Sequence, residues 1–326
     1  MIVDLPWLET PRRRVAEALA AGRLPQGLLI VGRRGLGRHQ LAQAIAAAAL
    51  CARPGPDSQA CGDCASCHQV QAGTHPDLLH LRVREDKTVI LVEQIRELSR
   101  ALSLSSGTHG LRCAIIHEAE RMNPAAANAL LKTLEEPRPG VSIILVTDRL
   151  AALPITIVSR CLQLPIAPPP QAQALNWLQQ HERRQDWPLF LALSAGAPLA
   201  AVELAEEWPG SPGADISNLC AAAAGRSDPV AIAAQLKNLP PAVLAQLLAW
   251  LAHASMRLRF DTAESVPVEG LPALVSHADA RALFRLWRAA RKLSVDHASL
   301  NIELARERLI LLFVDALHRR QPRSSQ

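Results

Sequence analysis

Gly32-Arg33-Arg34-Gly35-Leu36-Gly37-Arg38-His39 separates an apolar run, Leu28 to Val31, from an Ala/Leu-rich stretch that ends at Leu50. The short apolar run reads as a buried strand and the stretch through Leu41 to Leu50 as a helix. Strand, glycine-rich turn and helix together open a nucleotide-binding α/β unit. The turn keeps the outer glycines of the phosphate-loop pattern G-x4-G-K-[ST]. In that pattern backbone N–H groups cradle phosphates, Lys contacts the terminal ones and the hydroxyl binds Mg²⁺. Here Arg38 and His39 stand where Lys and Ser/Thr belong. A planar guanidinium fork does not replace a compact ammonium at a tight phosphate site, and an imidazole has no hydroxyl. Gly32, Gly35 and Gly37 therefore preserve a frame whose chemistry is degraded. Taken alone, the octapeptide also fits an ordinary glycine-rich turn.

Working outward, Thr10-Pro11 predicts an N-cap and first helical residue for a helix that Gly22 ends. Three more apolar runs, Leu78 to Val83, Leu111 to His117 and Val141 to Thr147, alternate with helical patterns at Val92 to Leu102 and Pro124 to Glu135. Such alternation predicts a parallel sheet covered by helices. The third of the four runs ends in His117-Glu118, where an Asp-Glu pair would complete an Mg²⁺ site. Mg²⁺ prefers oxygen to imidazole, so both Mg²⁺ anchors are missing and Glu118 alone cannot run hydrolysis. A last strand, Cys161 to Leu164, leads into Pro168-Pro169-Pro170, a domain boundary.

After Pro170 the pattern is helical throughout. Gln171 to His181, Trp187 to Ser194 and Pro198 to Trp208 form a three-helix unit, and Gly210-Ser211-Pro212-Gly213 marks a second boundary. Five or six more helices follow, including an amphipathic one at Leu300 to Leu317. Its apolar residues Leu300, Leu304, Ile310, Leu311 and Val314 suit an internal core or an oligomer equally. The expected division is 1–166 for the α/β domain, 167–209 for a small helical domain, 210–320 for a larger one and 321–326 for a disordered tail.

The bulk properties agree with this reading. A chain of 326 residues exceeds one hydrophobic core, and 49% hydrophobic, 20% charged and 3% aromatic residues suit a helix-rich globular protein. A net charge of +5 and a pI near 9.0 favour an acidic partner without requiring one. The stretch Leu239 to Met256 carries Pro240, Pro241, Gln246 and His253, which excludes a membrane span. Asp4 and Glu9 lie where a signal peptide needs basic and then apolar residues, so a cytoplasmic location is expected.

Cys51-x9-Cys61-x2-Cys64-x2-Cys67 offers four thiolates, a set that suits a closed, tetrahedral, structural zinc site. An iron–sulfur cluster competes, because C-x2-C-x2-C also opens the ferredoxin pattern, though its C-x3-C-P continuation is missing. His68 or His75 is an alternative to Cys51 as a ligand. Cys113 and Cys220 read as small buried apolar residues.

Two segments carry a family resemblance. Asn123-Pro124-Ala125-Ala126-Ala127-Asn128-Ala129-Leu130-Leu131-Lys132-Thr133-Leu134-Glu135-Glu136-Pro137 resembles the signature that follows the acidic motif in clamp-loader ATPases of the AAA+ class, and Ser159-Arg160-Cys161 resembles their Ser-Arg-Cys motif. Read without the family, the first is an amphipathic helix capped by Asn123, with Ala127, Leu130, Leu131 and Leu134 on one face. Arg160 is then a local salt-bridging residue. Motor subunits of these loaders keep an intact phosphate loop, whereas delta-prime subunits of bacterial DNA polymerase III have a degraded one, and this chain is similar to the latter.

The resemblance implies an AAA+ domain with an inserted zinc module at 51–67, an all-α lid and an all-α collar. It implies a subunit with no ATP in its own site, with Arg160 serving as a finger in a neighbour's ATP site. Implied partners are gamma/tau motor subunits and a delta subunit, with the sliding clamp and primed DNA reached through the assembled complex. Two other readings stay open. One is an active motor-type ATPase in which Arg38 replaces Lys; the other is a zinc-containing nucleic-acid-binding protein without loader partners.

Overall fold

β1 (Gly27–Val31), β3 (Arg112–Ile116) and β4 (Val141–Thr147) are buried almost throughout. Strands of a parallel sheet covered on both faces read as continuous apolar runs rather than alternating ones. In the computed structural model of the chain, which describes residues 5–22, 24–55, 58–104, 110–136, 138–260, 268, 271–275, 278–293 and 301–318, these strands join β2 (Leu78–Leu81) and β5 (Leu162–Pro165). Among the described residues they form a five-stranded sheet of order β2-β3-β4-β1-β5, every pairing parallel. Leu28 stands opposite Ile144 on one side and Leu162 on the other. The chain thus adopts the AAA+ type of α/β fold, followed by helices.

The covering helices are α1 (Glu9–Ala20), α2 (Arg38–Leu50), α3 (Ala65–Gln71), α4 (Val92–Ser103), α5 (Pro124–Glu135) and the one-turn α6 (Ile155–Val158). α5 begins where its cap predicts: the Asn123 side chain accepts from Ala126 N at 2.8 Å, and Pro124 takes the first helical position. α1 departs from the expected cap at Thr10. It starts at Glu9 after a 3₁₀ turn, Pro6–Leu8, and Thr10 lies inside it. Burial of Leu5 and Leu8 fixes that turn, closed by Leu8 N donating to Leu5 O at 2.9 Å. Pro11 is tolerated in the first turn because the N–H groups there have no intrahelical acceptor.

The chain divides into two compact units, Met1–Pro169 and Pro170–Gln326. In the second, α7 (Gln171–His181), α8 (Trp187–Leu193) and α9 (Pro198–Glu207) lead into α10 (Pro212–Ala223), α11 (Pro229–Gln235), α12 (Pro241–Phe260), α13 (Leu271–Val275), α14 (Ala280–Leu293) and α15 (Ile302–Leu317). One apolar core runs from Ala174 to Leu317. Trp187 and Trp208 flank Phe190 edge-on, with ring centroids 6.0 and 5.9 Å away. Both indoles are satisfied, Trp187 Nε1 by Glu182 O and Trp208 Nε1 by Asp215. Ser211 caps α10 by accepting from Ala214 N.

Among the described residues no single helix is long and apolar enough to cross a membrane. The helix pair α8 and α9 passes by length and composition together but is bent by 107°. Of the apolar residues picked out in the last helix, Ile310 is buried and Val314 packs on the same core, whereas Leu304 and Leu311 are exposed. Leu300 and the tail expected at 321–326 lie outside the described residues.

Candidate functional site

The loop after β1 emerges at the carboxyl edge of the sheet, the edge at which open α/β folds place ligands. Gly35 and Gly37 have φ of 81° and 86°, a left-handed conformation that favours glycine. The N-terminal turn closes over them. A Cβ built on Gly37 would meet the Leu5 Cδ1 methyl at 2.5 Å, and Trp7 Nε1 donates to Leu36 O at 2.9 Å. Arg38, only 5% exposed, folds back so that Nη1 points to Gly32 O at 3.4 Å. Its buried Nε has no hydrogen-bond partner among the described residues.

His39 at the start of α2 and His117 just past β3 are 78 residues apart in sequence, yet their Nδ1 atoms lie 2.9 Å apart. A third imidazole completes a chain: His80 Nδ1 is 3.1 Å from His117 Nε2, its ring stacked at 17°. A neutral imidazole has one donor and one acceptor nitrogen, so protons in this chain must all run the same way. Burial, then the charge of Arg38, lowers the pKa of His39 to about 4. Burial, then Arg82, lowers that of His117 to about 3. The two rings are therefore neutral at pH 7 and occupy each other's hydrogen-bonding nitrogens beside the glycine loop.

The sequence reading missed His80. Parallel pairing sets His80 opposite Ile115, which points its ring at the residue following β3; the sequence alone does not show that pairing. Glu118, held at φ 49°, is paired with Arg121 at 3.0 Å.

Arg160 lies at the opposite, amino edge of the sheet. The Ser159-Arg160-Cys161 backbone passes beside the first residue of β1. A Cβ on Gly27 would sit 3.0 Å from Arg160 O and 3.1 Å from Cys161 Sγ. Arg160 Nη2 pairs with Glu135 Oε1 at 2.7 Å, and Nη1 donates to Thr156 O at 3.0 Å. Glu135 ends α5, which runs back across the sheet to this edge. Ser159 Oγ also donates to Thr156 O. Burial raises the Cys161 thiol to about 11, so it is not a reactive thiolate. At about 3.3 Å per residue, β1 alone separates Arg160 from the chain's own phosphate loop by roughly 13 Å. Arg160 and the loop are not brought together within this chain.

The four cysteines of the 51–67 segment do converge: their Sγ atoms all lie within 4.8 Å of one another. Cys51 Sγ is 3.9 Å from Cys64 Sγ and 3.6 Å from Cys67 Sγ, and Cys61 Sγ is 3.9 Å from Cys67 Sγ. These spacings are too long for a disulfide. Four thiolates at about 2.3 Å from a central tetrahedral ion would stand about 3.8 Å apart, so the group fits a closed metal site. Cys61 N donates to Cys51 Sγ and Cys67 N to Cys64 Sγ, and the second of these contacts is the main cause that lowers the Cys64 thiol to about 6.

Neither His68 nor His75 belongs to the group. His75 Nδ1 accepts from Asp77 N at 3.1 Å. Its Nε2 therefore carries the proton toward Ser66 Oγ at 2.9 Å, and Ser66 donates onward to Leu50 O at 2.6 Å. This relay ties α3 to the end of α2 and braces the module. Cys113 and Cys220 are buried, their thiols raised to about 12 and about 11, chiefly by burial.

A family profile described as "DNA polymerase III, delta subunit" matches residues 9–170. A Haemophilus influenzae protein named DNA polymerase III subunit delta' is 35% identical over 204 residues, 62% of this chain and 62% of its own length. The Escherichia coli protein of that name is 36% identical over 201 residues, 61% of this chain and 60% of its own. The Yersinia pestis protein of that name is 33% identical over 303 residues, 89% of this chain and 87% of its own. The matches thus span less than two thirds of the first two relatives and most of the third.

Proposed function

Because this chain belongs to the DNA polymerase III delta' family, we propose that it is the ATPase-inactive subunit of a sliding-clamp loader and lends Arg160 to the ATP site of a neighbouring motor subunit. The observation that carries this reading is the placement of Arg160 at the sheet edge remote from its own phosphate loop, half-exposed and tethered by Glu135. A guanidinium supplied across an interface offsets the charge that grows on the transferring phosphoryl oxygens, and does so only in a correct assembly. Hydrolysis next door would then depend on this subunit's presence.

Inactivity of the chain's own site rests on the residues that occupy it. His39 and His117 offer nitrogen where Mg²⁺ wants oxygen, they engage each other rather than open space, and Arg38 turns toward Gly32 O. Residues 51–67 would hold zinc through Cys51, Cys61, Cys64 and Cys67, the ion serving as a cross-link in a segment with little core of its own. The proposed partners are gamma/tau motor subunits and a delta subunit, with residues 210–320 as the assembly's collar. The clamp and primed DNA are engaged by the whole complex, in the cytoplasm.

The test measures Mg²⁺-dependent ATP turnover twice, by the purified chain and by a loader reconstituted with it. We expect none from the chain alone and stimulation in the complex that Arg160→Ala abolishes. Turnover by the isolated chain would restore the motor-ATPase reading. Unchanged turnover with Arg160→Ala would remove the proposed role in trans.

A further inference from the structure

The outward face of α14 carries Arg281, Arg285, Arg288, Arg291 and Lys292, all exposed, and no carboxylate. Three of these, Arg285, Arg288 and Lys292, follow i, i+3, i+7 spacing and form one rim of a groove of about 700 Å³ between α14 and α15. Arg308 of α15 stands on the other rim. The floor is apolar, built of Ala289, Leu293, Leu309 and Leu312. Leu304 lines the same groove and is 62% exposed. Among the described residues no acidic side chain lines the groove, and none of the four rim cations is in an ion pair with a described residue.

We propose that this groove is a docking site for an acidic amphipathic helix of another chain, with leucine-like side chains on the floor and carboxylates against the two basic rims. Charge complementarity selects that occupant. An apolar ridge alone would leave four cations facing one another uncompensated, and a partner of like charge would be repelled. A nucleic-acid strand would neutralise the cations but leave Leu304 and the apolar floor in water. The aromatic pair that could stack bases, Phe284 and Trp287, is already stacked on itself under Arg291.

The chain's own remaining segments are poor occupants. Residues 319–326 carry Arg319, Arg320 and Arg323 without an acid, and residues 294–300 carry one carboxylate, Asp296, against four rim cations. Residues 261–270 are acidic, with Asp261, Glu264 and Glu269, but Pro267 and Gly270 have low helix propensity and no leucine is present to fill the floor. An amphipathic helix lying in a groove is read through anchors at i, i+3 or i+4, and i+7, the same repeat that the rim displays. The stretch from Asn301 to Leu312 is roughly 16 Å long at 1.5 Å per residue, enough for about three turns of partner helix. The inference rests on the chemistry of the groove and holds whether or not residues 210–320 join a ring.

The test uses the full chain and two labelled synthetic helical peptides of about 14 residues, identical in a leucine stripe but flanked by Glu in one and Lys in the other. Fluorescence anisotropy should show salt-sensitive binding of the Glu peptide and not of the Lys peptide. The exposed double substitution Arg285→Glu/Arg308→Glu should weaken the Glu peptide about tenfold or more and admit the Lys peptide. Leu304→Asp should weaken the Glu peptide as well, and unchanged circular dichroism and urea midpoints should show that each variant folds. Equal binding of the two peptides, or indifference of the Glu peptide to the charge reversal, would overturn the proposal. So would a single-stranded oligonucleotide that binds the wild type more tightly than the Glu peptide and is lost with the same substitutions.

Discussion

His39 and His117 meet Nδ1 to Nδ1 at 2.9 Å, and His117 turns its other nitrogen to His80. The two rings take up protons near pH 4 and pH 3 in the folded chain and near 6.5 once unfolded. Unfolding therefore binds protons throughout that window, and stability falls as pH drops from 6.5 toward 3, levelling off below it. Allowing for solvent screening of partly exposed rings, the loss between pH 7 and 4 should be about 2 kcal/mol. Urea midpoints measured across this range should show a shallower slope for His117→Asn than for wild type. Equal slopes would show that the rings are not the source.

Asp77 is fully buried and pairs with Arg112 through Nε at 3.0 Å and Nη2 at 2.8 Å. Arg112 also donates to Ala101 O and Leu104 O, which joins the end of α4 to β3. Asp77→Asn should destabilise the chain by about 3 kcal/mol, because it leaves the buried Arg112 guanidinium without its carboxylate. Asp77→Leu/Arg112→Met should cost less than either single change. Chemical denaturation of the three variants checks the ranking.

The thiolate group should bind one zinc per chain, read by elemental analysis of the purified protein. Cys67→Ser should lose most of it, since a closed four-thiolate site has no spare ligand. Chelation should lower the melting temperature and expose residues 51–75 to proteolysis first, because α3 and its Ser66–His75 relay depend on the module's shape.

Arg160→Ala should hardly change the stability of the isolated chain. An ion pair with side chains 37% and 46% exposed contributes less than about 1 kcal/mol. In a reconstituted loader the same change should lower ATP turnover at the neighbour's site by about a thousandfold, and Arg160→Lys should not restore it, because the fork geometry is lost. A stability loss without an ATPase loss would make Arg160 a local strut.

Much of the first unit is legible because its signals are local. The capped start of α5 at Pro124, the end of β4 at Thr147 and the four-cysteine spacing depend on residues close in sequence. Thr10 is a misleading cap for α1, because burial of Leu5 and Leu8 over the glycine loop decides where that helix starts. His80 is silent in the sequence for the same reason, as its role exists only once β2 is paired with β3. Leu304 and Ile310 of α15 make a similar contrast: Ile310 is core and Leu304 is groove, a distinction that amphipathic spacing leaves open.

By itself the chain of residues determined the glycine loop with Arg38 and His39 at its end, the four-cysteine set, the Ser-Arg-Cys segment and the alternation of strands and helices, since composition and short-range spacing settle each of them. Only the tertiary structure decided that His39, His80 and His117 form one chain of imidazoles, that Arg160 rests on Glu135 at the edge away from its own loop, and that α14 and α15 line a basic-rimmed groove. Those relationships arise from strand order and helix packing, which bring together side chains that no periodicity in the sequence connects.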